Sequence, residues 1–220
     1  GYQGLLALAF GYPWLAATAT VAGATDIPAT SFVISGSNTT QETGTLALDT
    51  ATTTPSVGDA VQAGIVACTT PSLMTPTTLY LVASMVQGGG EWGGSGVATG
   101  ARDDTDGYSN TQTIVNTLGT STNYAANTCS LLQLQSNGIT PCYVGGVCYE
   151  DWYLPARYEL SCMYNNKDAI GGFHANYYWS STEYDANTAW TRNFDNNNLA
   201  AYPKDSSTNT QFRCVRAVTN

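Results

Sequence analysis

The sequence predicts an α+β fold, with two helices and short antiparallel sheets preceded by an apolar, partly β N-terminal segment. Three observations predict it. Helical periodicity is confined to the middle of the chain. The last third consists of short strand-like runs separated by polar turns rich in Asn, Asp and Ser. The first 25 residues carry no charge at all.

A chain of 220 residues can bury one sizeable core, or one core and a smaller appended element. Charged residues make up only 10%, but 43% of the chain is hydrophobic and it holds 14 Tyr and 5 Trp, which argues for a folded, loop-rich protein of secreted character. Seven basic against 16 acidic residues give a net charge of -9. Phosphate and sulfate polymers are bound through Lys and Arg, so nucleic acid is excluded as a partner class.

Residues 1–29 form the first segment. They include the run Leu5, Leu6, Leu8 and Phe10 and an aromatic turn at Tyr12 and Trp14. A signal peptide would begin with a basic stretch, and this segment has none. Gly11 and Pro13 interrupt it, so no stable membrane span is expected. The chain opens on Gly rather than Met, which reads as a processed N-terminus. An uncharged apolar segment has to pack against something. It either folds back into its own domain or packs into copies of itself as an assembly element; a remnant membrane anchor is a third reading. Residues 30–55 follow as two short strands, at 31–35 and 43–48, around a polar turn, then a Thr-rich linker. The turn holds a formal glycosylation sequon at Asn38, a pattern short enough to arise by chance.

Residues 56–220 form the main domain. Strands are expected at 57–67 and 79–83. The glycine-rich stretch 88–94 is expected to be a loop with Trp92 as its aromatic anchor. Residues 111–118 and 125–134 are helical in character. Pro155 opens a further helix over 156–167, where its missing N–H is tolerated, and Leu160, Met163 and Tyr164 share one face. Strands then follow at 177–181, 189–194, 200–203 and 212–218. Such an order fits an α+β architecture.

Four stretches carry a family resemblance: Asp151-Trp-Tyr-Leu-Pro-Ala-Arg-Tyr-Glu-Leu-Ser-Cys162, Gly171-Gly-Phe173, Tyr177-Tyr-Trp-Ser-Ser-Thr-Glu183 and Arg213-Cys-Val-Arg-Ala-Val218. From about residue 56 onward the chain resembles the C-terminal domain family of the Legionella collagen-like adhesin, a branch of the C-type-lectin-like superfamily. The resemblance implies an extracellular or cell-surface binding module. The adhesin's glycosaminoglycan ligands would need a basic face, which this acidic chain lacks, so that ligand class is not carried over.

Six cysteines in irregular spacing, with a single His174 and no CxxC, point to disulfides in an oxidising compartment rather than to zinc. Cys142 and Cys148 enclose a short turn that could close locally. In the resembled fold a helix-borne cysteine ties to the last strand, which implies Cys129–Cys214 and leaves Cys68–Cys162; exchanging Cys129 and Cys162 is the alternative.

The Trp-Tyr-Leu-Pro motif could place Trp152 in a ligand groove, but a core role beneath the helix is favoured, as it is for Trp179. Ser180, Ser181 and Thr182 are expected to satisfy loop backbone groups, and Arg157 and Glu159 to be solvated helix charges. Residues 176–209 differ in kind: Tyr184, Asp185, Asn187, Asn193, Asp195, Asn196, Asn197, Asn198 and Tyr202 repeat the palette of antibody paratopes, rigid Tyr with adaptable Asn. In lectin-like folds the ligand surface lies on this part of the chain. These residues are the candidate contacts for a surface glycan or protein ligand; a polar surface without a partner is the competing reading.

Residues 102–107 form a partial calcium loop, with Asp104 and Asp106 in ligand positions around Gly107 but Arg102 where a carboxylate is needed. A solvated acidic turn is the favoured reading, and no cofactor is expected, calcium being the one ion the turn could take. Any Ser-His-Asp chemistry would have to use His174, and no Gly-x-Ser-x-Gly elbow precedes a helix, so no enzymatic activity is expected. The resulting expectation is a secreted adhesion or ligand-recognition protein that self-assembles into an oligomer or filament through residues 1–29. A pilus-like structural subunit with a decorative lectin-like domain and a retroelement-diversified receptor are the alternatives.

Overall fold

The computed structural model describes residues 55–69 and 79–219 in full, and the backbone alone of residue 78 and of strands β1 (Ser31–Ile34) and β2 (Glu42–Thr45). The chain divides into two compact units, Gly1–Thr53 and Thr54–Asn220. In the first, β1 and β2 pair antiparallel from Ser31↔Thr45 to Ile34↔Glu42. The second strand therefore starts one residue earlier than the pattern predicts, and its expected continuation over 46–48 lies outside the described residues. So do Leu5, Leu6, Leu8, Phe10, Tyr12 and Trp14.

The second unit opens with strands β3 (Ala60–Val61), β4 (Gly64–Cys68), β5 (Thr78–Ser84) and β6 (Gly88–Gly89). Helices α1 (Gly107–Leu118) and α2 (Ala125–Ser130) follow, then the short strands β7 (Leu134–Gln135) and β8 (Cys148–Tyr149). After helices α3 (Arg157–Asn165) and α4 (Lys167–Ile170) come β9 (Tyr177–Glu183), β10 (Thr188–Asn193), β11 (Leu199–Pro203), β12 (Thr210–Phe212) and β13 (Val215–Thr219). The class is mixed α+β, with four helices among the described residues: more than the two of the expected architecture, since the stretches 111–118 and 125–134 hold one each and the further stretch over 156–167 opens into two. One sheet runs β13-β5-β4-β3, a second β11-β10-β9-β12-β6, and β7 pairs β8. Among the described residues every pairing is antiparallel except β12 with β9.

Strand alternation distributes side chains between two apolar cores. On β5, Tyr80 and Val82 enter one core while Leu81 and Ala83 enter the other. On β9, Trp179 joins the first and Tyr178 the second. Ile114 of α1 and Ala125, Ala126 and Cys129 of α2 fill the first core; Leu160 and Met163 of α3 and Ile170 of α4 fill the second. Trp152 is buried in the first core, its indole donating to Tyr149 O at 2.9 Å, the core role expected of it.

Several boundaries move for identifiable reasons. Helix α1 starts at residue 107 because Asp106 caps it, its carboxylate accepting from Ser109 N at 2.8 Å and Ser109 Oγ at 2.6 Å. Residues 131–134 leave the expected second helix, and the third is broken at Asn166, whose Nδ2 donates to Ala67 O at 2.9 Å. Gly88 and Gly89 are not loop but strand, paired with Phe212 and Gln211. A Cβ on Gly88 would sit 2.4 Å from the Phe212 ring, so only glycine allows that approach. Trp92 is the buried anchor of the stretch, donating to Ser180 O at 2.8 Å.

The expected strand over 212–218 is two strands in two sheets. The chain changes sheet at Arg213, whose Nε and Nη1 donate to Ser84 O and Gly171 O, each at 2.6 Å, and at Cys214, which is bonded to Cys129. Cys68–Cys162 and Cys142–Cys148 complete the disulfides, giving the pairing that the resemblance implies and not the exchanged one. Among the described residues no helix is long and apolar enough to cross a membrane.

Candidate ligand-binding surface

Strands β9, β10 and β11 form two successive hairpins, and their turns carry most of the candidate contacts. In the first turn, Asp185 Oδ1 accepts from Asn187 N (2.8 Å), Thr188 N (2.7 Å) and Thr188 Oγ1 (2.9 Å). These donors, the Asn187 amide foremost, hold its carboxyl below the ordinary 3.8. In the second turn, Asn193 Oδ1 accepts from Asp195 N (2.8 Å) and Asn196 N (3.3 Å), and Asn196 Oδ1 from Asn198 N (3.0 Å). Asn197 takes a left-handed conformation, φ 67°, and its side-chain oxygen accepts from Arg192 Nη1. Asn and Asp favour such turns because their short side chains bond nearby backbone amides. Asp185 and the buried Asn193 therefore build the turns, while Asn187 and Asp195 to Asn198 are exposed on them.

The two turns lie at opposite ends of β10, roughly 17–20 Å apart at the usual strand rise. The candidate residues thus form two groups rather than one site. The first group surrounds Tyr177. Its ring lies 4.4 Å from that of Tyr202, tilted by 35°, and Asn198 Nδ2 donates to its hydroxyl at 3.2 Å. Hydrogen bonds to the Tyr177 hydroxyl, from Asn198 first and then from Tyr202 and Asn193, lower its pKa; the Tyr177 hydroxyl, followed by burial, raises that of Tyr202. Asn193, Asn198 and Tyr202 come together here. Tyr177 was not among the sequence candidates. Nothing in the run of aromatics at 177–179 marks its first member, whereas the register Asn193↔Tyr177 does.

At the other end, Tyr184 is 52% exposed and meets the Trp190 ring edge-on at 5.1 Å. The Arg157 guanidinium lies 4.9 Å from that ring and 5.0 Å from the ring of Tyr158, which is 45% exposed. Arg157 is therefore not a freely solvated helix charge. Its Nη2 is 2.5 Å from Asp104 Oδ2, and it is sandwiched by aromatics because β10 brings Trp190 under the start of α3. Tyr184, Trp190, Arg157 and Tyr158 form a continuous row of the residue types that dominate interface energetics. Glu159 is not solvated either: it is buried at the start of α3, where Ala156 N donates to Oε2 at 2.7 Å and Tyr153 OH to Oε1 at 2.9 Å.

A buried ion pair anchors this end of the sheet. Lys204 is wholly enclosed, its Nζ 2.7 Å from Glu183 Oε1 and from Val97 O, and 4.5 Å from the Trp92 ring. Glu183 also accepts from Thr99 N (2.7 Å), Thr99 Oγ1 (3.0 Å) and Gly100 N (3.0 Å). Burial alone would raise its pKa, but Lys204 and these donors outweigh it, and the carboxyl sits below its ordinary 4.5. Because Glu183 immediately precedes Tyr184, the pair fixes the root of the exposed turn. Ser180 and Thr182 lie in β9 rather than in a loop, their hydroxyls donating to Trp190 O and Asp103 O.

The acidic turn at 102–107 does not converge. Asp104 pairs with Arg157, Asp106 caps α1, and Asp103 Oδ1 accepts from Thr105 N (2.7 Å), Thr105 Oγ1 (2.8 Å) and Asp106 N (2.9 Å). Among the described residues no group of three or more His, Cys, Asp or Glu is set to hold a metal ion. His174 is exposed, with Gln87 Nε2 3.4 Å from its Nε2.

Fold and surface together define a disulfide-braced α+β domain that presents polar and aromatic side chains on hairpins held by their own Asn and Asp residues. Neither a protein-family model nor a curated protein matches the chain.

Proposed function

We propose that this chain is an extracellular or cell-surface adhesion protein with a C-type-lectin-like domain, binding a surface glycan or protein ligand and performing no catalysis. The observation that carries this reading is the Tyr177 group: two tyrosine rings 4.4 Å apart, with the Asn198 amide on the Tyr177 hydroxyl. Aromatic area beside amide donors and acceptors is how a surface meets a polar ligand with little loss of side-chain freedom. Hairpins already ordered by their side-chain bonds, and cores cross-linked by disulfides, lower the ordering cost of association.

The test uses an array of oligosaccharides and immobilised extracellular matrix proteins, probed with the native chain, Tyr202→Ala and Asn198→Ala. A ligand of this surface should lose roughly tenfold or more in affinity in Tyr202→Ala, as for a central aromatic contact. Undiminished binding by both variants would sink the assignment of the site. Self-assembly through residues 1–29 belongs to the same proposal. A chain lacking residues 1–25 should still bind its ligand without assembling into filaments, whereas a purely structural fibre subunit would lose its only function.

A further inference from the structure

Of the large apolar side chains left exposed among the described residues, five lie in one excursion between α2 and α3: Leu131, Ile139, Tyr143, Val144 and Val147, each between 61% and 102% exposed. The excursion is not loose. The β7–β8 ladder closes its base, Cys142–Cys148 closes its tip, and Asn137 Oδ1 accepts from Ile139 N, Thr140 N and Thr140 Oγ1 at 3.0–3.1 Å. Apolar side chains held out by a covalent brace are an interaction surface, because a free chain would fold them inward.

Charge identifies the partner. The whole chain carries -9, yet no charged residue occurs between Asp106 and Glu150. A loop that docks on a membrane surface is ordinarily supplied with Lys or Arg, and this one has neither. A charged partner would meet nothing to pair with. Copies of this chain repel one another wherever their acidic surfaces meet, so a contact between them has to form where both are neutral. We propose that the excursion 131–148 is a self-association surface, packed against the same segment of a second copy. Such a two-fold contact is self-complementary: each residue meets a surface that the other copy also presents. The five side chains expose roughly 600 Å² per copy, or about 1,200 Å² for the pair, the lower limit of specific interfaces, which makes the association weak and concentration-dependent. It is separate from the assembly proposed for residues 1–29 and does not depend on the ligand surface.

Sedimentation velocity of the full chain across micromolar concentrations, beside Val144→Asp, tests this. Val144 is fully exposed, so its replacement leaves folding intact, and an unchanged melting temperature checks that. A dimer whose dissociation constant rises roughly tenfold or more in the variant is expected, since each interface then buries two unpaired carboxylates. A photo-cross-linking amino acid at position 143 gives the register, with cross-links expected to residues 131–147 of another copy. A monomer throughout overturns the proposal. So does association that survives Val144→Asp and cross-links only to residues 1–29. Flotation with neutral phosphatidylcholine vesicles, without self-association, overturns it in favour of a lipid surface.

Discussion

Replacing Glu159 by glutamine should remove a dependence of stability on pH that is built into the fold. Glu159 lies in the first turn of α3 and is 3% exposed. Gly107, the first residue of α1, abuts the same carboxylate: a Cβ there would be 2.4 Å from Oε2. Burial, only partly opposed by the Ala156 amide and the Tyr153 hydroxyl, raises the carboxyl from its ordinary 4.5 to about 8. The folded chain therefore holds a proton between those values that the unfolded chain has released. Stability is fully present below pH 4.5, falls as pH rises, and levels off above about 8. At about 1.4 kcal/mol per pH unit, the loss from pH 5 to 8 is on the order of 4 kcal/mol. That corresponds to roughly 10 °C in melting temperature for a domain of this size. The groups held low, Glu183, Asp103 and Asp185, act below this window, and Arg213, lowered to about 10 by burial, acts above it. Calorimetry from pH 5 to 9 with disulfides intact should show the decline in the native chain. In Glu159→Gln, whose amide stays neutral and keeps an acceptor for Ala156 N–H, the decline should be nearly absent, with melting at pH 5 close to native. A variant that retains the full decline would refute the assignment of the proton to Glu159.

Other expectations follow from the same packing. Lys204→Met should cost about 3 kcal/mol in denaturant titrations because it removes the buried partner of Glu183 and leaves it only the largely exposed Arg102, whose Nε is 3.6 Å from Oε2, whereas Lys204→Met combined with Glu183→Gln should cost clearly less; equal losses would mean that the charges are not coupled. Replacing both cysteines of Cys68–Cys162 or of Cys129–Cys214 by serine opens connections of 94 and 85 residues and should each cost about 4–5 kcal/mol. The same replacement at Cys142–Cys148, six residues apart, should cost about 2 kcal/mol and leave the cores folded. Urea midpoints of the three variants rank them.

Much of the fold was legible because it depends on local pattern. The α+β class, the hairpins of the last third, the core roles of Trp152 and Trp179, the anchoring role of Trp92 and the oxidised cysteine framework all follow from periodicity, residue size and composition. The ligand surface was legible only as composition. The palette marked residues 184–202, but the antiparallel return of β10 placed the two turns at opposite ends, and the pairing of β9 with β10 brought Asn193 to Tyr177.

What the sequence determined by itself, then, was which residues could be strand, helix, turn or core, because those preferences act over a few bonds. The tertiary structure decided which charges left water and which residues met. Glu159 reads as a solvated helix charge, but Tyr153 and Gly107 enclose it, and Lys204 is enclosed by the distant Val97 and Trp92. Arg213 lies between two strands rather than inside one because Ser84, 129 residues earlier, supplied its acceptor. Burial and pairing of this kind are set by contacts far apart in the chain, and a local pattern carries no information about them.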